Sequence, residues 1–295
     1  LAVFLPNWVG DVVMATPTIR ALRRHFGDGA TLIAVARPGL RDVLDGTDWI
    51  DEWMPHDPRS SDALLRSRAV AQNLRNRRLD IAVLLTNSWR SALIAALARI
   101  QRRVGDARGG RGLLLTDRVY APRRAFRFVP TPAVDSYLSI AALLGCAPES
   151  VRLELATTEA DERRADAVWA ANNWTAREPV VTLNNSGAFG AAKLWPMDHC
   201  VEMARRLAQQ RGFRVLVLCG PQEREAARQL ASAAADPRVA SLADHQPSIG
   251  LTKACVRRSA LLVTTDSGPR HFAAAFGVPV VTLFGPTHQA WSDTR

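Results

Sequence analysis

Short, almost wholly apolar segments alternate with helical segments along this chain, and the alternation limits the folds that it can adopt. Pro179–Leu183 and Ala260–Thr264 are two such segments, and Thr31–Ala36 and Asp80–Leu85 are two more in the first half. A strand that is apolar on both faces must be covered by helices on both sides, as in parallel sheets. The alternation therefore predicts an α/β fold built from doubly wound parallel sheets.

The length of 295 residues favours two domains over one. The periodicity lapses between about Pro148 and Ala156, and we place the domain boundary there, which gives domains of residues 1–152 and 153–295. Leu1–Leu5 lacks the length and the basic flank of a signal peptide, and we interpret it as the first core strand. No apolar run approaches the ~18 residues that a membrane-spanning helix needs.

The composition, with 47% hydrophobic and 22% charged residues, is that of an ordinary globular protein. The net charge of +10 comes mostly from arginine and suits nucleic acid, anionic lipid headgroups or phosphorylated glycans as partners. A GC-rich genome explains the same excess of arginine. Residues 99–111, after the third predicted strand, are expected to form a basic loop. Five arginines lie in or near this segment and suit either binding of an acidic glycan or a solvated basic face: Arg90, Arg102, Arg103, Arg108 and Arg111.

Metal and disulfide chemistry find little support in the sequence. The six histidines show no HxxH or HExxH spacing, so neither a metal site nor a cofactor is expected. The four cysteines lie far apart, form no CxxC pair and are predicted to be buried free thiols in a reducing compartment: Cys146, Cys200, Cys219 and Cys255.

Asp11 is the candidate catalytic residue of the first half. It follows the first predicted strand in a tight turn and lies at the start of a predicted helix. Thr16 and Pro17 suit an N-cap and a first helical residue, so this helix is expected either to start late or to be kinked there. Only Gly10 is present where a dinucleotide fingerprint needs three glycines, so a nicotinamide dehydrogenase is not expected. A carboxylate in this position serves as a general base for a hydroxyl or as a helix-capping group.

Two segments of the second half carry the candidate ligand-binding residues. Ser186–Gly190 and Lys193 follow one predicted strand, and Asp266–His271 follows another. Ligands of open α/β sheets bind at the carboxyl ends of the strands. A lysine with backbone N–H groups suits a diphosphate, and a carboxylate suits sugar hydroxyls. The structural alternatives are a solvated lysine, an Asp266 that caps a helix starting near His271, and a histidine packed in the core.

Three motifs read together give the chain a resemblance to a known family. Asn7–Asp11, Lys193–Pro196 and Asp266–Gly268, in this order and spacing, resemble the ADP-heptose:lipopolysaccharide heptosyltransferases of glycosyltransferase family nine. The turn Trp8–Asp11 and the loop Gly187–Lys193 are most similar to the heptosyltransferase II branch. The resemblance covers nearly the whole chain, including Asn87-Ser88 and Phe284–Thr287.

The resemblance implies a GT-B architecture, in which two Rossmann-like domains face each other across a cleft, with the acceptor on the N-terminal domain and the nucleotide sugar on the C-terminal one. It implies an inverting, metal-independent transfer of heptose from ADP-heptose to a heptose hydroxyl of the lipopolysaccharide inner core. Asp11 then corresponds to the catalytic base. The implied donor-binding residues are Ser186, Gly187, Lys193, Asp266, Ser267, Gly268 and His271.

We expect a cytoplasmic enzyme without a nucleic-acid partner. The positive charge suits a peripheral contact with the inner face of the cytoplasmic membrane, although the sequence shows no clear amphipathic helix for it. The chain departs from the family at Pro269-Arg270, where many members have a small apolar residue, and at Gln222, where some relatives use an acid on the ribose. It also stops before the usual C-terminal helix, and we expect a fragment. The alternatives are a family member with another nucleotide sugar and acceptor, or a catalytically silent relative that binds glycan or nucleic acid.

Overall fold

The computed structural model describes residues 1–125, 127–186 and 190–293, and its contacts divide the chain into two units. The first unit consists of Leu1–Glu154 together with Ala290–Arg295, and the second of Leu155–Gln289. Among the described residues, no helix is long and apolar enough to cross a membrane.

The first unit contains a six-stranded sheet in the order β3-β2-β1-β4-β5-β6, in which every neighbouring pair is parallel. Two-residue strands also pair as an antiparallel hairpin. This is the strand order of a Rossmann fold. The chain adds β2 and β3 on one side of β1 and then β4, β5 and β6 on the other, so the reversal point of the sheet lies between β1 and β4. The strands are β1 (Ala2–Phe4), β2 (Ile33–Ala36), β3 (Glu52–Pro55), β4 (Ile81–Leu84), β5 (Arg102–Asp106) and β6 (Asp117–Val119), with β7 (Arg123–Arg124) and β8 (Arg127–Phe128) in the hairpin.

The helices of the first unit are α1 (Val9–Met14), α2 (Thr16–Phe26), α3 (Arg41–Leu44), α4 (Ser67–Asn76), α5 (Trp89–Leu97) and α6 (Ala133–Leu143). The inner faces of α4 and α5 pack on the sheet in one apolar cluster that includes Phe4, Leu74, Leu84 and Ala95. On the opposite face α2 packs against α6. The central strands are therefore covered on both sides, as their apolar sequences require.

The second unit repeats this arrangement with a five-stranded parallel sheet in the order β11-β10-β9-β12-β13. Its reversal point lies between β9 and β12. The strands are β9 (Val180–Asn184), β10 (Arg214–Leu218), β11 (Val239–Ser241), β12 (Leu261–Thr265) and β13 (Val280–Leu283), and the helices are α7 (Glu159–Ala171), α8 (Met197–Arg211), α9 (Arg224–Ala234), α10 (Ile249–Arg257) and α11 (Gly268–Phe276).

Several local predictions were wrong. The segment expected to be a basic loop contains β5. The two arginines that obscured this strand are its first two residues, and both have partners: Arg102 pairs with Asp117, and Arg103 donates to the Leu114 carbonyl. Strands β3 and β11 and helix α10 were not predicted. Helix α11 begins at Gly268 rather than near His271.

The kink predicted in the first helical segment is present, but the predicted cap is not. Ala15 separates α1 from α2, and the proline lies in the first turn of α2. The Thr16 hydroxyl donates to the Val13 carbonyl at 2.7 Å. Thr16 is therefore the first residue of α2 and not its N-cap.

Candidate functional site

The reversal point of the second sheet gathers most of the predicted donor-binding residues. Ser186 and Lys193 follow β9, Asp266 follows β12, and these two strands are hydrogen-bonded neighbours. A crevice outside the carboxyl ends of strands forms at such a reversal, where the connections lead away to opposite sides of the sheet. Gly187 lies outside the described residues.

Asp266 lies at the centre of this cluster. Lys193 donates from Nζ to Asp266 Oδ2 at 2.9 Å and to the Asp266 carbonyl at 3.1 Å. Arg270 Nη1 lies 3.3 Å from Asp266 Oδ1, and the Thr287 hydroxyl donates to Oδ2 at 2.7 Å. The side chains of Lys193 and Asp266 are each 11% exposed. The carboxylate thus has a charged or polar donor on each oxygen.

These donors keep Asp266 ionised. Burial by itself raises the pKa of a carboxyl group, and it is the largest single influence on Asp266. The hydrogen bonds from Lys193 and Thr287, together with the charges of Lys193 and Arg270, outweigh it and lower the pKa below its ordinary value. An ionised carboxylate accepts hydrogen bonds only, which suits the hydroxyl groups of a sugar.

A side-chain clamp fixes the two ends of the loop that carries Lys193. Asn185 Oδ1 accepts a hydrogen bond from the Trp195 backbone N–H at 2.9 Å, and Asn185 Nδ2 donates to the Trp195 carbonyl at 2.8 Å. The Asn185 amide thus pairs with the Trp195 backbone as a neighbouring strand would, and this holds the first and last residues of the loop together. The indole of Trp195 is half-buried and packs edge-on against His199.

Buried hydroxyl and amide groups fix the adjacent ends of β9 and β12. Asn184 Nδ2 donates to Thr264 Oγ1 at 3.0 Å and to Ser267 Oγ at 2.8 Å. Ser267 is the N-cap residue of α11, but its hydroxyl donates to the Thr265 carbonyl and does not cap the helix. Gly268 is the first residue of α11, so the start of that helix lies directly beside the network. Helix N-termini attract anions.

His271 is a buried neutral histidine in the first half of α11. It is 4% exposed, and burial followed by the charge of Arg270 lowers its pKa to about 3. Among the described residues, its Nδ1 has no hydrogen-bond partner. Arg270 is also buried, with its guanidinium 4.9 Å from the ring centre of Phe284. His271 therefore carries no charge at neutral pH, and its Nδ1 retains an unused hydrogen-bonding capacity.

Glu223 belongs to the same cluster, although the sequence did not indicate it. It follows β10, and its Oε1 accepts a hydrogen bond from the Ser186 hydroxyl at 2.7 Å while Oε2 accepts from the Gly220 N–H at 2.8 Å. Gln222, at the position where some relatives are expected to have an acid, is exposed. Rossmann folds place an acidic residue at the end of the second strand to bind ribose hydroxyls. The feature of the sequence that could have indicated Glu223 is its place one residue after Gln222, following β10, the second strand of this unit.

In the first unit, Asp11 lies in the first turn of α1, directly after β1 and at the reversal point of that sheet. It is half-buried. Burial raises the pKa of the Tyr137 hydroxyl well above its ordinary value, and the negative charge of Asp11 raises it further, while Arg108 acts in the opposite direction. The charge of Asp11 therefore acts on a tyrosine of α6, a helix that packs against α1. Tyr137 carried no signal in the sequence beyond its place in an apolar helix.

The five arginines predicted to bind an acidic glycan or to form a solvated face have different positions. Arg111 is completely buried, where its guanidinium donates to the Asp106 carbonyl at 2.7 Å and to Asn87 Oδ1 at 3.4 Å, and burial lowers its pKa to about 10. Arg108 is paired with Asp106 at 3.1 Å. Arg90 is exposed. Arg111 thus ties the ends of β4 and β5 together and neither binds a glycan nor faces solvent.

No group of three metal-binding side chains occurs among the described residues. The four cysteines are buried free thiols. Burial raises the pKa of Cys255 to about 12, so its thiol stays protonated at neutral pH.

The model of one family, glycosyltransferase family 9 (heptosyltransferase), matches residues 67–292. The chain belongs to glycosyltransferase family 9. This family 9 protein is 27% identical over 290 residues to lipopolysaccharide heptosyltransferase 2 of Escherichia coli strain K12, an alignment that covers 96% of this chain and 81% of the relative. The resemblance stated from the motifs is confirmed, and the chain is a glycosyltransferase.

Two solved structures have the same fold. The E. coli ADP-heptose lipopolysaccharide heptosyltransferase II superimposes with a TM-score of 0.79 at 24% identity, covering 99% of this chain and 87% of that one. An E. coli heptosyltransferase solved with ADP-2-deoxy-2-fluoro heptose gives 0.71 at 18% identity, covering 98% and 90%. The predicted fold class, an α/β GT-B protein with two Rossmann-like domains, is confirmed.

Proposed function

We propose that this family 9 enzyme transfers heptose from ADP-heptose to a heptose hydroxyl of the lipopolysaccharide inner core, with inversion and without a metal. The observation that carries the proposal is the cluster at the reversal point of the second sheet. There a lysine and two carboxylates, Lys193, Asp266 and Glu223, lie around the ends of three adjacent strands. A cation flanked by hydrogen-bond acceptors matches a diphosphate that links two sugars.

In this proposal the donor lies across the cluster. The Lys193 ammonium binds the diphosphate, aided by the backbone of the loop from Ser186 and Gly187 and by the N-terminal end of α11 at Gly268. Asp266 accepts hydrogen bonds from the heptose hydroxyls. Glu223 accepts them from the ribose. Ser267 fixes the end of β12 through its hydrogen bonds with Asn184 and the Thr265 carbonyl, and His271 binds the donor through its Nδ1.

The cluster also stabilises the leaving group. As the bond between the heptose anomeric carbon and the phosphate oxygen breaks, the electron pair stays on ADP. A preorganised ammonium group stabilises that developing negative charge without rearranging during the reaction. When Lys193 turns to the diphosphate, Arg270 and Thr287 remain on the Asp266 carboxylate.

Asp11 is proposed as the base. A hydroxyl is a weak nucleophile near neutral pH, and a carboxylate within hydrogen-bond reach takes its proton as it attacks. The acceptor oxygen bonds to the anomeric carbon from the side opposite ADP, its proton moves to Asp11, and the anomeric configuration inverts. One base suffices because no covalent intermediate forms.

The two domains take different parts in this proposal. Residues 1–152 bind the acceptor and residues 153–295 bind the nucleotide sugar. A cytoplasmic location, with a peripheral contact to the inner face of the membrane, is part of the proposal, and no nucleic-acid partner is expected.

The test combines binding and transfer. ADP-heptose, ADP and UDP are titrated into the purified chain by calorimetry, and heptose transfer to a deacylated, heptose-bearing inner-core acceptor is followed by mass spectrometry. Asp11→Asn should bind ADP-heptose as the unaltered chain does and should transfer heptose about 10²–10⁴-fold more slowly. Asp28→Asn, at an exposed acid of the same unit, is the matched control.

Three results would contradict parts of the proposal. Equal transfer by Asp11→Asn and the unaltered chain would remove Asp11 as the base. Tighter binding of UDP than of ADP would indicate another nucleotide sugar. Binding of ADP-heptose without transfer to any heptose-bearing acceptor would show that the acceptor is wrong.

A further inference from the structure

Helix α5 of the first unit is apolar on two opposite faces. Its inner face, with Ala92, Ile94 and Ala95, packs into the core cluster against the sheet. Its outer face carries Trp89, Leu93 and Leu97 at a spacing of four residues, and these side chains are 49%, 47% and 55% exposed. A surface helix ordinarily carries polar residues on the side away from the core. The outer face of α5 is thus an exposed apolar stripe.

A neighbouring segment extends the stripe. The 3₁₀ segment Arg108–Leu114 packs beside α5 and exposes Leu113 at 84%. The Trp89 indole N–H donates to the Gly109 carbonyl at 2.6 Å, which fixes the ring at the surface. Three large apolar side chains therefore line the outer face of α5 and a fourth is exposed on the adjoining segment, whereas exposed apolar residues that need no explanation occur singly.

The two helical segments that form this surface are basic and contain no acid in their own sequences, while acids from other segments pair with two of their arginines, Glu52 with Arg77 and Asp117 with Arg102. Residues 66–79, which include α4, hold five arginines and no aspartate or glutamate, and residues 86–105, which include α5, hold four arginines and none of either acid. Helix α4 packs alongside α5 and on the same core cluster. The exposed arginines of the two helices and their ends include Arg68, Arg75, Arg78, Arg90 and Arg99.

Both helices end on an arginine in the left-handed backbone region. Arg78 follows α4 with φ 50° and Arg99 follows α5 with φ 57°. Glycine is the usual residue at this position, and another residue there costs about 1 kcal/mol. Two adjacent helices thus keep an exposed cation where the backbone favours glycine, which is consistent with a requirement for positive charge.

We propose that the outer surface of α4 and α5, here called the α4/α5 face, docks on the surface of an anionic phospholipid bilayer. Leucine and tryptophan side chains enter the interface, where the amphipathic indole is especially favoured, and the arginines meet the lipid phosphates. The absence of acids from both segments gives the charge complementarity that selects an anionic membrane over a protein partner of mixed charge.

The α4/α5 face lies next to the proposed acceptor side of the unit. Trp89 begins α5 just after β4, at the carboxyl edge of the sheet, and Asp11 follows β1 at the same edge of the neighbouring strand. Docking by this face would bring Asp11 close to the headgroup region. This benefit rests on the proposed function, because it requires a lipid-anchored acceptor, but vesicle binding is measurable without any acceptor.

The experiment measures flotation of the purified chain with vesicles. One set of vesicles contains phosphatidylglycerol and phosphatidylethanolamine, and the other contains phosphatidylcholine alone. The double variant L93Q/L97Q removes apolar area from exposed helical positions that tolerate glutamine. Val281→Thr, at an apolar side chain of the second unit that is 49% exposed, is the matched control. Circular dichroism and the melting temperature check that each variant is folded.

We expect the unaltered chain and Val281→Thr to float with the anionic vesicles and not with phosphatidylcholine, and binding to weaken as salt is added. L93Q/L97Q should lower the apparent affinity at least about tenfold, because two leucine side chains no longer leave water. The charge variant R75Q/R78Q should bind less tightly and with a weaker salt dependence. L93Q/L97Q should keep normal transfer to a deacylated acceptor and lose transfer to an acylated acceptor in vesicles.

Failure of this inference and failure of the proposed function give different results. If the unaltered chain binds anionic vesicles but transfers no heptose, the docking face stands and the proposed function fails. If the unaltered chain does not bind, or L93Q/L97Q binds equally well, membrane docking is wrong. Loss of a dimer in L93Q/L97Q by sedimentation velocity, with vesicle binding unchanged, would assign the face to a second copy of the chain and would also overturn the proposal.

Discussion

Lys193 Nζ lies 2.9 Å from Asp266 Oδ2, so the cation proposed for the diphosphate and the carboxylate proposed for the sugar are paired with each other. The pairing holds both side chains at the carboxyl ends of β9 and β12 in an ordered geometry. A diphosphate would draw the ammonium away from one carboxylate oxygen. Arg270 on the other oxygen then compensates the charge that Lys193 leaves behind.

Replacement of Lys193 should weaken donor binding. Lys193→Met removes a charged hydrogen-bond donor, whose loss ordinarily costs about 1.5–3 kcal/mol, so the Kd for ADP-heptose should rise about 10- to 150-fold by calorimetry. Lys193→Arg should retain part of the affinity because the charge remains. Arg206→Gln, on the exposed face of α8, is the control. Unchanged affinity in Lys193→Met would exclude contact between this side chain and the diphosphate.

Arg270 is expected to position Asp266 rather than to contact the donor. Its charge is one of the influences that lower the pKa of Asp266, so Arg270→Leu should raise that pKa. Donor binding requires the ionised carboxylate, and its acid limb should therefore move to higher pH, with a raised KM and a nearly unchanged kcat. Arg270→Lys should restore the profile. A lower melting temperature with an unchanged KM and pH profile would mean that Arg270 only supports the fold.

His271 should make the native chain sensitive to moderate acid. Its pKa is lowered from 6.5 to about 3, so between these values the unfolded chain binds a proton that the native chain does not. Stability from this group is complete above about pH 6.5 and is lost progressively as the pH falls towards 3. Urea unfolding at several pH values should show a shallower decline for His271→Gln than for the unaltered chain.

The exposed residue His199 provides the comparison for that experiment, because His199→Gln lies on the surface of α8 and should leave the decline unchanged. If His271→Gln and the unaltered chain lose stability in parallel between pH 6.5 and 4, then His271 is not held neutral. Its proposed role beside the donor would then have to include a charge.

Arg111 should matter for stability and not for the acceptor. Its buried guanidinium ties Asp106 to Asn87 and Ser88 at the ends of two strands. Arg111→Met leaves buried acceptors without their donor and should lower the free energy of unfolding by about 3 kcal/mol, measured by urea denaturation. Arg90→Gln, at an exposed position, should leave the unfolding midpoint unchanged. Similar midpoints for both variants would contradict the structural role.

The strands that the sequence predicted correctly are those with nearly continuous apolar runs. β1, β2, β4, β9 and β12 all contain such runs, and their ends were placed within about two residues. The missed strands have different sequences. β5 contains two arginines, and β3 contains glutamate and proline, because a strand nearer the edge of a sheet has fewer buried faces to fill.

The sequence by itself determined the fold class and placed Asp11, Lys193 and Asp266 after core strands. Apolar periodicity and strand ends depend only on residues that are close together in the sequence, so a local pattern is enough to predict them. Only the tertiary structure decided which groups meet. The pairing of Lys193 with Asp266 and that of Ser186 with Glu223 join residues 73 and 37 positions apart. Strand order brings such distant residues together, and strand order follows from how whole layers pack, which no local pattern encodes.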